Sequence, residues 1–329
     1  MIRVALDALG ADKAPVPEVE GAIMALRNNP ELEVIFVGKK DVIESALSQH
    51  DTAGLKYSIH HCTEVVEMGD KPGVALKTKR DSSLVQCVEL QKKGLADASV
   101  SAGNTGAFMG AALFGLGRIE CVCRPAIAIA VPTATGQTLM LDMGANADCR
   151  PQHLFEFARM GQIYVEQMWN IQNPKVGLLS VGEESTKGNE AVVACHQLLQ
   201  NSNMNFVGNV EGNDILFGKS DVITCDGFVG NVILKFYESV PKLLKSTLGD
   251  LLRNEKAKGF LEKFNKESYG GAELLGVNGV IIVSHGSSTP VSIKNALDKA
   301  CKMVSTKVND VIKTVMTAES ANQTNSCEA

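Results

Sequence analysis

The feature that most constrains this chain is a sustained alternation of short apolar runs with longer helical ones. IRVALDA, EVIFVG, KYSIHHC, DASVSAG, PAIAIAVP, TLMLDMGAN, KVGLLSVG, MNFVGN, DVITCDG and VIIVSHG are strand candidates. Several are continuously apolar, as strands buried on both faces of a largely parallel sheet must be. Helical runs such as PQHLFEFARMGQIYVEQMW and NEAVVACHQLLQN lie between them. The pattern predicts an α/β fold with helix, sheet and helix in layers. No repeat period or low-complexity linker divides it, so one domain is expected over 1–318, with a flexible tail at 319–329.

Composition narrows the class. The chain has 329 residues and a net charge of −5, which gives nucleic acid no footprint. Nine cysteines stand singly, without a CxxC pair, which favours a reducing cytoplasm over a disulfide framework. The opening MIRVALDALGAD enters a strand at its second residue and leaves no room for a signal peptide. No apolar run approaches the roughly 18 residues of a membrane span.

The segment 239–266 breaks the rhythm. Leu244, Leu248, Leu251 and Leu252 fall at helical spacing, and Phe260, Leu261 and Phe264 begin a second stripe. Seven basic residues against three acidic ones give it +4. It is a solvated helical hairpin on its own core, or a surface for an acidic protein or an anionic membrane.

The strand ends share a chemistry. They carry Ser101-Ala-Gly103-Asn104-Thr105-Gly106, Asp142-Met-Gly144-Ala-Asn146, Gly182 to Glu190 with Lys187 and Asn189, Gly208-Asn209-Val-Glu211, Asp226-Gly-Phe-Val-Gly230-Asn231 and His285-Gly286-Ser287. Carboxyl ends of parallel strands line one crevice, where ligands bind. Glycine admits close backbone approach, small polar side chains add donors, and a following helix aims its N–H groups at the same place. The combination suits an anion, most simply phosphate, although Gly and Asn also serve as plain turn residues. Lys187, taken alone, is a solvated loop lysine.

Other motifs carry no chemistry. Gly115-Leu-Gly117 lies at a helix end and is no dinucleotide fingerprint. Gly218-Lys219-Ser220 lacks the first P-loop glycine and precedes a strand. His60, His61 and Cys62 alternate faces on a strand, so a shared metal is not expected. Ser83 with Gln86 fits a capping box, and Thr289-Pro290 an N-cap with its first helical residue.

In this order the corners resemble the phosphate acyltransferases of bacterial phospholipid synthesis, the PlsX family. The matching stretches are VALDALGAD, SAGNTGA, LDMGAN with Asp148, NPKVGLLSVGEESTKGNE, NFVGNVEG with Asp214, CDGFVGNVILK, and YGGAELLGV leading to HGSS. They run from about residue 2 to 300. Leu9 and Ala11 depart mildly from the family's opening motif, and 239–266 is the least family-like part.

The resemblance implies a Rossmann-like α/β/α sandwich related to the isocitrate and isopropylmalate dehydrogenase scaffold, and a homodimer. It implies acyl transfer from acyl-carrier protein to phosphate, with no metal and no cofactor. The acyl phosphate would feed a membrane-bound glycerol-3-phosphate acyltransferase, from a cytoplasmic enzyme attached peripherally to anionic membrane. On this reading Lys187 offsets phosphate charge, while Asn104 and Asn231 orient the anion. His285 or Asp226 moves a proton. Ser101, Gly103, Thr105, Gly106, Gly144, Asn146, Asn189 and Gly230 complete the binding corners, with N–H groups around Gly103, Gly144 and Gly230 as donors. The competing readings are a phosphotransacetylase acting on coenzyme A thioesters, a nicotinamide-dependent dehydrogenase, and a non-catalytic membrane scaffold.

Overall fold

The computed structural model describes residues 1–249 and 270–327. In chain order the first elements are β1 (Ile2–Asp7), α1 (Val16–Asn28), β2 (Leu32–Gly38), α2 (Lys40–Leu47), β3 (Tyr57–His61), α3 (Pro72–Thr78), α4 (Ser83–Lys92), β4 (Ala98–Ser101) and α5 (Thr105–Gly115). Then come β5 (Ala126–Pro132), β6 (Gln137–Leu141), α6 (Pro151–Trp169), β7 (Val176–Leu179), α7 (Glu190–Gln200), β8 (Phe206–Val210), β9 (Val222–Thr224) and α8 (Gly227–Leu248). The last are β10 (Ala272–Leu275), β11 (Val280–Val283), α9 (Pro290–Ser305) and α10 (Val308–Cys327). The start of the expected hairpin at 239–266 is the end of α8, and its remainder past residue 249 lies outside the described residues.

The described residues form two compact units, one of 1–118 with 270–309 and one of 119–249 with 310–327. The first unit has the strand order β3-β2-β1-β4-β11-β10. All neighbours are parallel except β10 and β11. The ends of β1, β2, β4 and β11 therefore face one edge. The apolar continuity read from the sequence follows from burial on both sides: Val4, Ala5 and Leu6 of β1 are all fully buried. Helix α4 packs on β1, and α9 packs on β1, β4 and α1.

Helix α5 is built of small residues because α3 and α4 lie against it. A Cβ on Gly106 would stand 2.8 Å from Pro72 Cγ, one on Gly110 2.7 Å from Leu76 Cδ1, and one on Gly115 2.7 Å from Val88 Cγ1. Strand β10 has no counterpart among the ten sequence candidates. Its Glu273 interrupts the apolar pattern, yet it is fully buried and paired with Lys299 at 2.8 Å. Lys299 also donates to the Gly271 carbonyl at 2.8 Å, tying β10 to α9.

The second unit has the order β5-β6-β9-β7-β8. β5 and β6 are antiparallel, and the remaining pairs are parallel. The carboxyl ends of β6, β9, β7 and β8 share one edge with the amino end of β5. Helix α6 covers β6 and β9, α7 covers β7 and β8, and α8 rises from the end of β9. Phe157, Met160 and Val165 of α6 are fully buried. Arg159 pairs with Glu319 and so fastens α10 to α6.

The helix ends follow the sequence in part. Thr289 caps α9, its Oγ1 accepting from Ser292 N–H at 3.3 Å. Helix α4 starts at Ser83, so Ser82 is its N-cap and the box centred on Ser83 does not form.

One buried group in the first unit works against stability. Glu18, on the first turn of α1, is fully buried, and neither carboxyl oxygen has a hydrogen-bond partner. Burial first, and then the nearby negative charge of Asp7, raise its carboxyl to about 8. Between the ordinary carboxylate range and pH 8 the folded chain holds a proton that the unfolded chain releases. Stability from this group is present at low pH and is lost as pH rises through that window, by at most about 5 kcal/mol. Glu18→Gln removes the titration and keeps the shape. Melting followed at pH 5 and pH 8 is expected to show a larger loss in the parent than in Glu18→Gln, with the variant the more stable at pH 8. Equal losses in both would refute the assignment.

Candidate functional site

The first unit gathers its polar corner around Asp7. This residue ends β1 and is fully buried, and its carboxylate accepts from Ser101 Oγ at 2.7 Å and Leu9 N–H at 3.2 Å. Burial raises its carboxyl, while these hydrogen bonds pull the other way. The chain closes over it through two glycines. A Cβ on Gly103 would lie 3.2 Å from both Asp7 Oδ2 and Gly10 Cα, and one on Gly10 would collide with the same oxygen. Only backbone fits there.

Asn104 follows as the N-cap of α5, its Oδ1 accepting from Ala107 N–H at 3.0 Å. Its Nδ2 donates to the carbonyls of Glu67, Met68 and Asp70 at 3.3, 3.1 and 3.0 Å. The amide that the sequence assigns to orienting an anion is thus committed to holding the 67–70 loop. Thr105 and Gly106 are exposed, and their N–H groups precede the first intrahelical bond, Phe108 N–H to Asn104 O at 2.9 Å. His285 reaches the same edge, because Ser284 N–H bonds Ser101 O at 2.8 Å and Asp12 N–H bonds Gly286 O at 3.0 Å. Its Nδ1 accepts from Ser287 N–H at 3.1 Å, so the neutral ring carries its proton on Nε2.

The second unit repeats the device on Asp142, which follows β6 and is fully buried. Oδ1 accepts from the N–H groups of Ile127, Gly144 and Ala145 at 3.0, 3.2 and 3.0 Å. Oδ2 accepts from Asn146 N–H at 2.7 Å and Asn146 Nδ2 at 2.8 Å. Burial pushes this carboxyl up, and the five donors oppose it.

The start of α8 docks on that loop. Gly227 N–H donates to Asn146 O at 2.8 Å, and Cβ atoms on Gly227 or Gly230 would strike the Asp142 group. Asp226 Oδ1 accepts from Val229 N–H at 2.8 Å and so caps α8. Asn231 lies beside Gly144, where a Cβ would be 3.6 Å from Asn231 Oδ1. Gly144 has φ +134°, a conformation other residues rarely adopt.

The glycines therefore serve a different end from the one the sequence suggests. The N–H groups of Gly103, Gly144 and Gly230 already bond Ser101 Oγ, Asp142 Oδ1 and Asp226 O, at 3.1, 3.2 and 2.9 Å. Donors that face outward come instead from helix starts and side chains.

Lys187 stands on the loop after β7, with β9 between its strand and β6. The loop is fixed from beneath. Buried Asn209 donates to the carbonyls of Gly182 and Glu184 at 3.2 and 2.8 Å, and its Oδ1 meets His196 Nδ1 at 2.9 Å. Since that oxygen can only accept, His196 carries its proton on Nδ1. Lys187 is exposed, and its ammonium forms no ion pair among the described residues. Lys219 differs, being held by Glu183 and by Asp214 at 3.0 Å. Asn189 caps α7 by accepting from Val192 N–H at 2.9 Å.

At the first unit's corner the Ser287 hydroxyl lies 2.8 Å from His285 Nδ1, and the other candidate nucleophiles are quiescent. Ser101 is buried and donates to Asp7. Burial pushes the half-buried Cys149 thiol to about 11 and lifts Cys225 well above its usual value. The sequence places Asp142 and Asn209 in strand-end corners but assigns them no role, and it does not single out Asp7. Their one visible signal is a Leu-Asp pair closing an apolar run with glycine two or three residues later, at Asp7 and at Asp142.

The comparisons with known proteins correct the expected scaffold. The chain is similar to the solved EutD phosphotransacetylase of Staphylococcus aureus, with a TM-score of 0.60 at 15% identity over 92% of this chain and 94% of that one. It is equally similar to a branched-chain phosphotransacylase from Enterococcus faecalis, with a TM-score of 0.61 at 15% identity over 92% and 99%. The fold is thus phosphotransacetylase-like, and the isocitrate and isopropylmalate dehydrogenase scaffold does not hold. The physical reason is that alternating apolar runs and glycine corners set the layered α/β class but not which scaffold within that class the chain adopts.

At the level of sequence, a family model described as "Fatty acid synthesis protein" matches residues 2–311. The "Phosphate acyltransferase" of Heliobacterium modesticaldum is 47% identical over 309 residues, covering 90% of this chain and 92% of that protein. Identity at that level across nearly the whole of both proteins leaves one conclusion, that the chain belongs to the phosphate acyltransferase family.

Proposed function

We propose that the chain transfers a fatty acyl group from acyl-carrier protein to inorganic phosphate, giving acyl phosphate and free carrier protein. The observation that carries this reading is the make-up of the two corners, which offer amides, hydroxyls, helix starts and the exposed Lys187, while their buried and half-buried thiols are held protonated. Phosphate as the acceptor brings its own reactivity. A phosphate oxygen attacks the thioester carbonyl carbon, and the carbonyl electrons move to oxygen. Their return breaks the C–S bond, and the carrier's thiolate leaves and takes up a proton. With a reference thiol pKa of ~8.5, that thiolate needs little acid help.

The residue roles follow from the geometry of each unit. In the second, Lys187 meets phosphate charge and the Asn231 amide orients the anion, while Asp226 and Asn189 hold the helix starts in place. The strands that lead into the Lys187 and Gly144 loops, β7 and β6, lie two spacings apart in the sheet, roughly 10 Å. In the first unit, Thr105 and Gly106 N–H face an anion or developing oxyanion, and His285 Nε2 is positioned to move a proton.

Among the described residues no helix is long and apolar enough to cross a membrane. The basic amphipathic stretch 239–266 supports reversible contact with anionic lipid, at about 1 kcal/mol per basic residue near the surface. This placement suits delivery to a membrane-bound glycerol-3-phosphate acyltransferase, and a homodimer completes the reading.

The direct test is phosphate-dependent loss of acyl-carrier thioester with acyl phosphate trapped as hydroxamate. Wild-type protein is expected to turn over the carrier thioester in preference to a coenzyme A thioester. Preference for coenzyme A would support the phosphotransacetylase alternative. Lys187→Met keeps the apolar stem and removes the charge. It is expected to fold normally and to lose at least about a hundredfold in turnover or phosphate affinity. Wild-type rates across a phosphate titration would remove Lys187 from the site. For the membrane contact, Leu251→Glu with Leu252→Glu is expected to abolish co-sedimentation with anionic vesicles and to preserve activity in solution. Parent protein that ignores such vesicles at low salt contradicts that part of the reading.

A further inference from the structure

The second unit carries an ion-pair network that the roles above leave unused. Lys219 lies in the segment between β8 and β9, and its ammonium pairs with Glu183 and, at 3.0 Å, with Asp214 Oδ2. Those two contacts hold it above the usual lysine range. The segment around Lys219 is firmly anchored. Asp214 Oδ2 also accepts from Glu211 N–H at 2.9 Å. Ala134 N–H, on the turn between β5 and β6, donates to Leu216 O at 2.8 Å, and a Cβ on Gly218 would collide with Thr135 Oγ1. Lys219 and Asp214 are half-buried, while Glu183 is exposed.

The acid that Lys219 holds belongs to the Lys187 loop. That loop is a tight turn, in which Lys187 N–H donates to Glu184 O at 3.0 Å and Ser180 Oγ donates to Lys187 O at 3.0 Å. The Lys187 stem folds back over Gly182, where a Cβ would lie 2.9 Å from Lys187 Cγ. Glu183 is therefore the next residue after the one that seats the lysine. Glu184 Oε2 lies 3.0 Å from the same point beside that stem. Among the described residues neither carboxylate of the turn pairs with Lys187.

We infer that Lys219 is a positioning residue for phosphate capture, holding Glu183 off Lys187 so that the Lys187 ammonium meets phosphate and not a carboxylate of its own loop.

This rests on the acyltransferase reading and adds what keeps its phosphate-binding cation open. A carboxylate released within the turn competes with phosphate at the high effective concentration of a tethered group. The apparent affinity for phosphate then falls by the fraction of protein in which Lys187 is free. An exposed ion pair contributes little to stability. The pair therefore acts by where it places the Glu183 charge, with Asp214 fixing the cation that receives it.

The test uses the full chain with Lys219→Met, Glu183→Gln and both together. Lys219→Met is expected to raise KM for inorganic phosphate at least threefold. Its KM for acyl-carrier protein and its kcat at saturating phosphate should stay within about twofold. Glu183→Gln alone should leave KM for phosphate within about twofold, and the double variant should return to that range. A loop that merely loses an anchor shows no such rescue, because the double variant lacks the pair as well. A second readout needs no turnover. Labelling of Lys187 by an amine-reactive reagent, followed by peptide mass, is expected to slow in Lys219→Met and to recover in the double variant. A parent-like KM for phosphate in Lys219→Met would overturn the inference, as would a double variant equally impaired. So would Glu183→Gln lowering KM as much as Lys219→Met raises it, which marks additive charge and no held carboxylate. Parent protein that shows the labelling pattern but forms no acyl phosphate would instead overturn the acyltransferase reading.

Discussion

The structure depends on two buried carboxylates. A carboxylate taken out of water is tolerated only where donors surround it, and each of these solves the problem by folding a strand-end loop onto itself. Asp142 collects five hydrogen bonds from Ile127, Gly144, Ala145 and Asn146. Asp7 takes a serine hydroxyl and a backbone N–H, and the Gly10 and Gly103 backbones seal it. Neither loop could pass so close with side chains larger than hydrogen at those glycines. These hydrogen bonds therefore fix the loop, and the loop fixes where the following helix begins.

That dependence explains what the sequence made legible. Ten strands could be read from continuous apolar runs because burial on two faces leaves residues such as Val4 to Leu6 no polar option. The eleventh, β10, escaped notice because Glu273 is charged, and its partner Lys299 sits far along the chain on α9. The corners could be found from their glycines and amides. What each group does there could not. Asn104 looks like an anion ligand, yet it caps α5 and pins the 67–70 loop. Asp7, Asp142 and Asn209 act by burial and by hydrogen bonds to backbone, and sequence spacing does not record such bonds. Lys187 shows the converse case. Its neighbours in sequence identify a polar loop, and the contrast with the ion-paired Lys219 is visible only in the structure.

A catalyst of this kind works by position and charge. The reactive oxygen arrives with the substrate, and the thioester already carries a good leaving group. The protein needs to hold an anion and stabilise the oxyanion that forms. The interior aspartates and Asn209 fix the loops from which the helix starts and Lys187 are proposed to do this. The likeness to phosphotransacylases at 15% identity concerns fold alone. Membership in the phosphate acyltransferase family comes from sequence across nearly the whole chain.

The central claim is that phosphate itself, and no side chain, attacks the thioester. The most direct measurement is intact-mass analysis of the protein after incubation with stoichiometric acyl-carrier thioester, first without phosphate and then with it. Without phosphate the account predicts an unmodified protein mass and no release of carrier thiol. Adding phosphate should then release carrier and acyl phosphate together. A stoichiometric acyl adduct on the protein with a burst of free carrier thiol before phosphate is added would contradict it.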